Sequence, residues 1–420
     1  MPSESSSLAS WLDFLEQLHP SSIELGLERV SAVANKLNLQ LPEFNIAIAG
    51  TNGKGSVSAL LQYGVLNCAK TVGTYTSPHI FTFNERIKIN GVDVTDTQLI
   101  AAFSLINQQR GAISLSYFEF ATLAAMVIFA DAQLDIAIWE VGLGGRLDAV
   151  NIIDADMAII TSIALDHQEW LGDTCEQIGY EKAGIFRAGQ LAICGEKMPK
   201  SVKQHSARLA TQLYALHNEY AYTRQLDSWD WFSKTKDGQP IELRNLPISK
   251  LHLNNLAIAL QALNLQGLLT KDLAVAMCQQ VALTGRMQLI GKQPQCILDI
   301  AHNPQAVDYL AQCLANDYPH VKLHAIVSIL DDKAALEIFT SLAPLVAHWY
   351  LVDSSHIARG QTTAQLANAL AQIPSMSYSE HSHISSAYTA ATSNISDHQH
   401  EKLLVTGSFY IVAQALSILT

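Results

Sequence analysis

Across 420 residues, 26 Lys and Arg stand against 38 Asp and Glu, a net charge of −12, while 49% of residues are hydrophobic and 15% charged. That much apolar mass supports two or three packed domains of roughly 150 residues each and excludes a disordered or fibrous chain. The acidic balance repels a phosphate backbone at long range and so excludes a general nucleic-acid binder. An anionic small ligand would need backbone N–H groups, a few Lys and Arg, or metal ions.

In chain order, the opening MPSESSSLAS carries Glu4, no Lys or Arg and no long apolar run behind it, so no signal peptide is expected. Residues 8–19 and 23–37 space their apolar side chains at helical intervals. Residues 45–49 (NIAIA) predict a strand ended by Gly50, and 56–66 a helix. Residues 116–130 predict a long buried helix; their apolar run, 120–130, is about half of a membrane span, so no membrane association is expected. Strands are predicted at 135–141 (DIAIWEV) and 157–163 (MAIITSI). Strands apolar on both faces that alternate with helices imply a parallel sheet covered on both sides. Residues 218–248 are polar and aromatic and predict a small β subregion or excursion. A helix follows at 254–269, and two glycines and a proline then suggest a linker. Beyond it the rhythm restarts, with strands at 296–300, 323–329, 348–352 and 403–406. The expected organisation is an α/β domain over 1–284, a linker at 285–294 and a second α/β domain over 295–420, with a cleft between them. The six cysteines, at 68, 175, 194, 278, 296 and 313, form no C-x-x-C pair and read as buried thiols of a cytoplasmic protein.

The strongest local signal is Gly50-Thr51-Asn52-Gly53-Lys54-Gly55-Ser56 between a strand and a helix. Glycines let backbone N–H groups wrap a phosphate at a helix N-terminus; Lys54 would reach the outer phosphates and Ser56 would offer its hydroxyl to Mg²⁺. The general G-x-x-x-x-G-K-[ST] pattern is not met, because position 48 is Ile and Gly55 separates Lys54 from Ser56. Gly142-Leu143-Gly144 also follows a strand, but the third glycine of a dinucleotide fingerprint would fall at Leu147. Glu140 lies near the end of one predicted strand and His167 follows the next in sequence, and the two are expected to converge on the phosphate loop, since ligands of such sheets collect at strand ends. Mg²⁺ would then need further oxygen ligands, because imidazole is an uncommon partner for so hard an ion. Lys182 is uninformative by periodicity. Asp299, His302 and Asn303 follow a strand ahead of Pro304, and could serve phosphate contact, catalysis or capping.

Taken together, GTNGKGS, TSPH (Thr76–His79), NERIKING (Asn84–Gly91), SYFEF (Ser116–Phe120), EVGLGGRLDAVN (Glu140–Asn151), TSIALDHQEWLG (Thr161–Gly172), EKAGIFR (Glu181–Arg187), GRMQ (Gly285–Gln288) and DIAHNP (Asp299–Pro304) resemble one family in one order. The family is that of bacterial bifunctional dihydrofolate synthase/folylpolyglutamate synthase, relatives of the Mur ligases. The resemblance implies a two-domain Mur-ligase-like α/β fold: a phosphate-loop parallel-sheet domain, a smaller Rossmann-like domain and an active site in the cleft. It also implies a cytoplasmic monomer that uses ATP to join L-glutamate to dihydropteroate or reduced folates through an acyl phosphate.

By position, the resemblance assigns Gly53, Lys54, Gly55, Ser56, Asn255, Arg286 and Asp299 to ATP. It assigns Ser77, Glu140 and His167 to two Mg²⁺ sites, Lys182 to a carbamylated lysine and His302 to the reaction centre. Phe118, Thr122 and Asp148 would line the pterin site, and a monovalent cation is admitted. Lys54, Lys182 and His302 would carry the chemistry. Alternatives are a monofunctional folylpolyglutamate synthase, a Mur-type ligase acting on a cell-wall nucleotide precursor, and a non-catalytic nucleotide switch. Only 44 residues precede the first predicted strand, which argues against the extra N-terminal domain usual in the cell-wall ligases.

Overall fold

The computed structural model describes residues 2–21, 23–235, 237–291, 294–357 and 359–419. The chain divides into two compact units, Met1–Val281 and Ala282–Thr420. The first holds an eight-stranded sheet of β1 (Phe44–Ala49), β2 (Val72–Tyr75), β3 (Ile87–Ile89), β4 (Val92–Asp93), β5 (Ile136–Glu140), β6 (Met157–Ile160), β7 (Leu191–Cys194) and β8 (Gln212–Ala215). Their spatial order is β4-β3-β2-β5-β1-β6-β7-β8. From β2 to β8 every pairing is parallel, and β3 and β4 close one edge antiparallel.

Five of the six residues of β1 are buried, and successive side chains serve opposite faces. Ala47 and Ala49 join Tyr75, Trp139, Phe103, Phe120 and Phe129 in one core. Phe129 and Trp139 lie 5.0 Å apart, and the buried indole N–H donates to Asn45 Oδ1 at 3.0 Å. The helix Lys54–Leu66 packs on β1, β2 and β5 and against the helix Leu253–Leu265. Gly64 allows that second contact, because a methyl group there would stand 2.6 Å from Leu263.

Residues 218–248 form a separate antiparallel sheet, β9 (Ala221–Arg224), β10 (Ser228–Lys234) and β11 (Pro240–Pro247), around the fully buried Trp229 and Trp231. The second unit holds β12 (Gln288–Ile290), β13 (Cys296–Leu298), β14 (Lys322–Val327), β15 (Val346–Val352), β16 (Tyr378–His381) and β17 (Glu401–Thr406). Their order is β12-β13-β17-β14-β15-β16, parallel except for β12. Phe339 stands edge-on to Trp349 at 5.0 Å in its core.

Three expectations differ from what is seen. The segment 285–294 carries the edge strand β12, while Lys292 and Gln293 lie outside the described residues. The helix expected from residue 23 begins at Glu28, because Gly26 is held extended by its N–H bond to the Leu147 carbonyl at 3.2 Å. Cys175 is exposed rather than buried. Among the described residues, no helix is long and apolar enough to cross a membrane.

Candidate active site

The phosphate loop leaves β1 at the centre of the first sheet, flanked by the ends of β5 and β6. Gly53 caps the helix Lys54–Leu66 at φ +91°, a backbone geometry that L side chains rarely adopt. No side chain caps that helix, so its first N–H groups point into the loop. The loop is tied to the segment after β6: Thr51 N–H donates to the Ser162 carbonyl at 2.8 Å, and Asn52 N–H to Ser162 Oγ at 2.9 Å. Thr161 Oγ1 in turn donates to the Asn52 carbonyl at 2.6 Å. Sequence reading treated Thr161 and Ser162 as strand residues, but β6 ends at Ile160 and both hydroxyls belong to the loop's scaffold. Lys54 Nζ rests on the Gly50 carbonyl at 3.0 Å. Ser56 is buried in the first helical turn. Asn255 lies against the loop, since a methyl group on Gly53 would stand 2.4 Å from its Oδ1.

Glu140 ends β5 level with Ile48 of β1 and is buried. A methyl group on Gly55 would lie 3.7 Å from its Oε2, so the carboxylate faces the positive end of the helix. His167 follows β6 in a left-handed conformation, φ +51°, and its N–H is held by Asp166 Oδ1 at 2.9 Å. Ser77 lies just beyond β2 and is half-buried. The Glu140 carboxylate and the Ser77 hydroxyl are oxygen donors of the kind Mg²⁺ takes; the His167 imidazole is not. Among the described residues, no group of three or more His, Cys, Asp or Glu is arranged to hold a metal, so phosphate and hydroxyl oxygens would have to complete any coordination shell.

Lys182 sits in the last turn of the helix Cys175–Ala183, 4% exposed. Burial pushes its ammonium down to about 7 and the charge of Lys54 adds to the shift, while Asp166 and Asp148 oppose it. Asp148 is equally buried and is raised to about 6 by desolvation, against the backbone N–H groups of Leu143, Val150 and Gly142 and the charge of Lys54. Lys54, Asp148, Asp166 and Lys182 therefore form one electrostatic neighbourhood.

The three acceptor candidates divide. Phe118 packs on Gly142, where a methyl group would stand 2.6 Å from its ring, and lies 5.9 Å from the Tyr75 ring. Asp148 accepts from Leu143 N–H at 2.8 Å and Val150 N–H at 2.9 Å. Thr122 is fully buried, donates to the Phe118 carbonyl at 2.9 Å and lies 3.3 Å from the Tyr75 hydroxyl, which makes it a support of Phe118.

In the second unit, Asp299 is buried and its carboxylate accepts from Met287 and Ala301 N–H, each at 2.9 Å. Burial raises it and the Arg286 charge lowers it. His302 Nδ1 must donate to the Ile300 carbonyl at 2.8 Å, which leaves Nε2 as the acceptor nitrogen. Phe409 joins this group, 5.8 Å from the His302 ring and 5.7 Å from the Arg286 guanidinium. No sequence motif had marked it.

With this geometry in place, comparison with known proteins is direct. A Mur ligase middle domain matches residues 48–263, and a Mur ligase glutamate ligase domain matches 285–409. The dihydrofolate synthase/folylpolyglutamate synthase of Escherichia coli strain K12 is 38% identical over 421 residues, covering 100% of this chain and 97% of its own. E. coli FolC in complex with DHPP and ADP superposes with a TM-score of 0.94 at 38% identity, covering 100% of this chain and 99% of that one. A bifunctional folylpolyglutamate synthase/dihydrofolate synthase from Yersinia pestis, complexed with AMPPNP and Mn ion, gives 0.91 at 40% identity, covering 100% and 99%.

Proposed function

The chain belongs to the Mur ligase family, among the dihydrofolate synthase/folylpolyglutamate synthases, and from that membership we infer that it adds L-glutamate to dihydropteroate and to reduced folates in an ATP-dependent reaction. The observation that carries the site is the approach of the buried Glu140 to the N-terminus of the helix bearing Lys54.

The triphosphate is cradled by the N–H groups of Gly53, Lys54, Gly55 and Ser56, with Lys54 leaving the Gly50 carbonyl to reach the outer phosphates. Asn255, Arg286 and Asp299 add nucleotide contacts. Ser77 and Glu140 would hold one Mg²⁺, and His167 with Lys182 a second; bound Mg²⁺ neutralises phosphate charge. Lys182 fits that role as a carbamate. With an ammonium pKa lowered to about 7, much of its amine is neutral at physiological pH and can attack CO₂. An N–C bond forms, a C–O π bond opens and a proton leaves, which converts a cation into an oxygen donor.

The acceptor carboxylate, its pterin lying near Phe118 and Asp148, attacks the γ-phosphorus in line and expels ADP. The amine of L-glutamate then attacks the acyl carbon, phosphate departs and the amide remains. His302 would orient glutamate by accepting from its amine at Nε2 in the neutral ring, or phosphate by donating from Nε2 in the protonated ring. Because ATP drives the reaction, the setting proposed is the cytoplasm.

The test is ADP release with ATP, Mg²⁺ and L-glutamate, comparing dihydropteroate with a tetrahydrofolate. Turnover with both is expected. Turnover with the folate alone would make this a polyglutamylation enzyme and remove the pterin role of Phe118 and Asp148. Silence with both would overturn the reading.

A further inference from the structure

Two stretches carry residues of the chemistry above: the loop Gly142–Asn151 after β5, which bears Asp148, and the turn Glu181–Arg187 that ends the Lys182 helix. They are joined backbone to backbone. Arg146 N–H donates to the Glu181 carbonyl at 2.8 Å, satisfying a carbonyl of the final helical turn. A methyl group at Gly145 would stand 2.9 Å from the carbonyl oxygens of both Glu181 and Lys182; one at Gly184 would stand 2.3 Å from Arg146 Cβ. Asn151 Nδ2 bridges the two stretches, donating to the Arg146 carbonyl at 2.9 Å and the Gly184 carbonyl at 3.1 Å. Over this seam the Arg146 guanidinium grips the Glu181 carboxylate, with Nη2 at 2.9 Å and Nε at 3.1 and 3.2 Å from its two oxygens. The same guanidinium lies 5.7 Å from the Tyr180 ring.

We propose that the Arg146–Glu181 pair is a positioning clamp: it fixes the turn bearing Lys182 against the loop bearing Asp148, and so holds the Lys182 side chain at the place where its carbamate forms. The proposal rests on the carbamate reading above. Glu181 and Lys182 are adjacent, so on a helix their side chains diverge; one is turned to the clamp while the other is buried. The Arg146 side chain is 41% exposed and that of Glu181 18%, so the pair adds little to global stability. Its loss is felt locally instead. The last turn loosens, and the Lys182 side chain is no longer held at the place where its carbamate stands.

The test is ¹³C NMR of the nucleotide-free protein in ¹³C-bicarbonate, comparing wild type with Glu181→Gln, Arg146→Ala and Arg146→Lys, with melting temperatures measured in parallel. Groups that orient a ligating side chain are typically worth roughly tenfold or more in metal affinity or activity. A fall of about that size in the carbamate signal is expected for Glu181→Gln and Arg146→Ala, with little change in melting. Arg146→Lys, which keeps the charge but not the two-pronged grip, should recover only part of the signal. The bicarbonate concentration for half-maximal ADP release should rise in the same order. Should Arg146→Ala fail to fold, Arg146→Lys and Glu181→Gln still decide. Wild-type carbamate levels in the folded variants would overturn the clamp and leave the carbamate standing. No carbamate signal in wild type would overturn the carbamate reading and the clamp with it.

Discussion

At the scale of single residues, Lys182 carries the sharpest consequence. Its amine titrates near 7 in the folded protein and near 10.5 when the lysine is unperturbed. Between those values the unfolded chain holds the proton and the folded one does not, so folded stability rises with pH across that window. Below pH 7 the neutral fraction falls about tenfold per unit, since one pKa unit is a tenfold change in protonation ratio. At fixed dissolved CO₂, the rate at which activity returns to CO₂-stripped protein should follow that slope and level off above pH 8; a pH-independent rate would remove the neutral amine from the mechanism. Lys182→Arg should be nearly inactive in ADP release, because a guanidinium stays charged and forms no carbamate. The special state of Lys182 was not legible in periodicity, where a lone Lys reads as solvated. It depends on burial and on Lys54, Asp166 and Asp148, all distant in sequence. Only the family resemblance of EKAGIFR marked it. Thr161 and Ser162 stand in the TSIALDHQEWLG block but were given no role of their own for the same reason: their partners are the backbone of Thr51 and Asn52, about 110 residues away.

At the scale of elements, the central strands β1, β5 and β6 were legible because each is an apolar run ended by a break in pattern. The edge strands were not. Tyr378–His381 (YSEH) of β16 is polar and four residues long, and becomes a strand through its pairing with β15. Gln288–Ile290 was read as linker because glycines and a proline bracket it, yet such residues also punctuate an edge strand. The small sheet at 218–248 was foreseen as a β subregion, though its three-strand pairing was not. Several glycines around the site leave no room for a methyl group, and two of them give tests. Gly53→Ala would demand φ +91° of an alanine and press it into Asn255, so nucleotide binding should fall by at least about tenfold with the fold retained. Gly184→Ala would drive Cβ into Arg146 and should lower stability by about 1–3 kcal/mol in urea titration. An unchanged midpoint would show that the seam yields.

For the whole molecule, two α/β units were expected from the restart of the strand–helix rhythm, and the change of unit falls between Val281 and Ala282. A ligand that engages only the folded chain at 100 times its dissociation constant adds about 2.7 kcal/mol. For a unit of this size that raises the melting temperature by roughly 5 °C. AMPPNP with Mg²⁺ should produce such a shift in wild type and little in Lys54→Ala, whose unliganded melting point should match wild type; equal shifts in the two proteins would detach Lys54 from the phosphates. The strand order has a further consequence, for the order of events as the chain is made. The phosphate loop emerges early, but the strands on both sides of β1 come from residues 136–140 and 157–160, and the hydroxyl that holds Asn52 lies 110 positions later. At roughly 5–20 residues per second, the ribosome needs about 5–20 s to supply that distance. For that interval the nascent chain carries β1 with both edges unpaired, an aggregation hazard that ends only when β5 and β6 arrive.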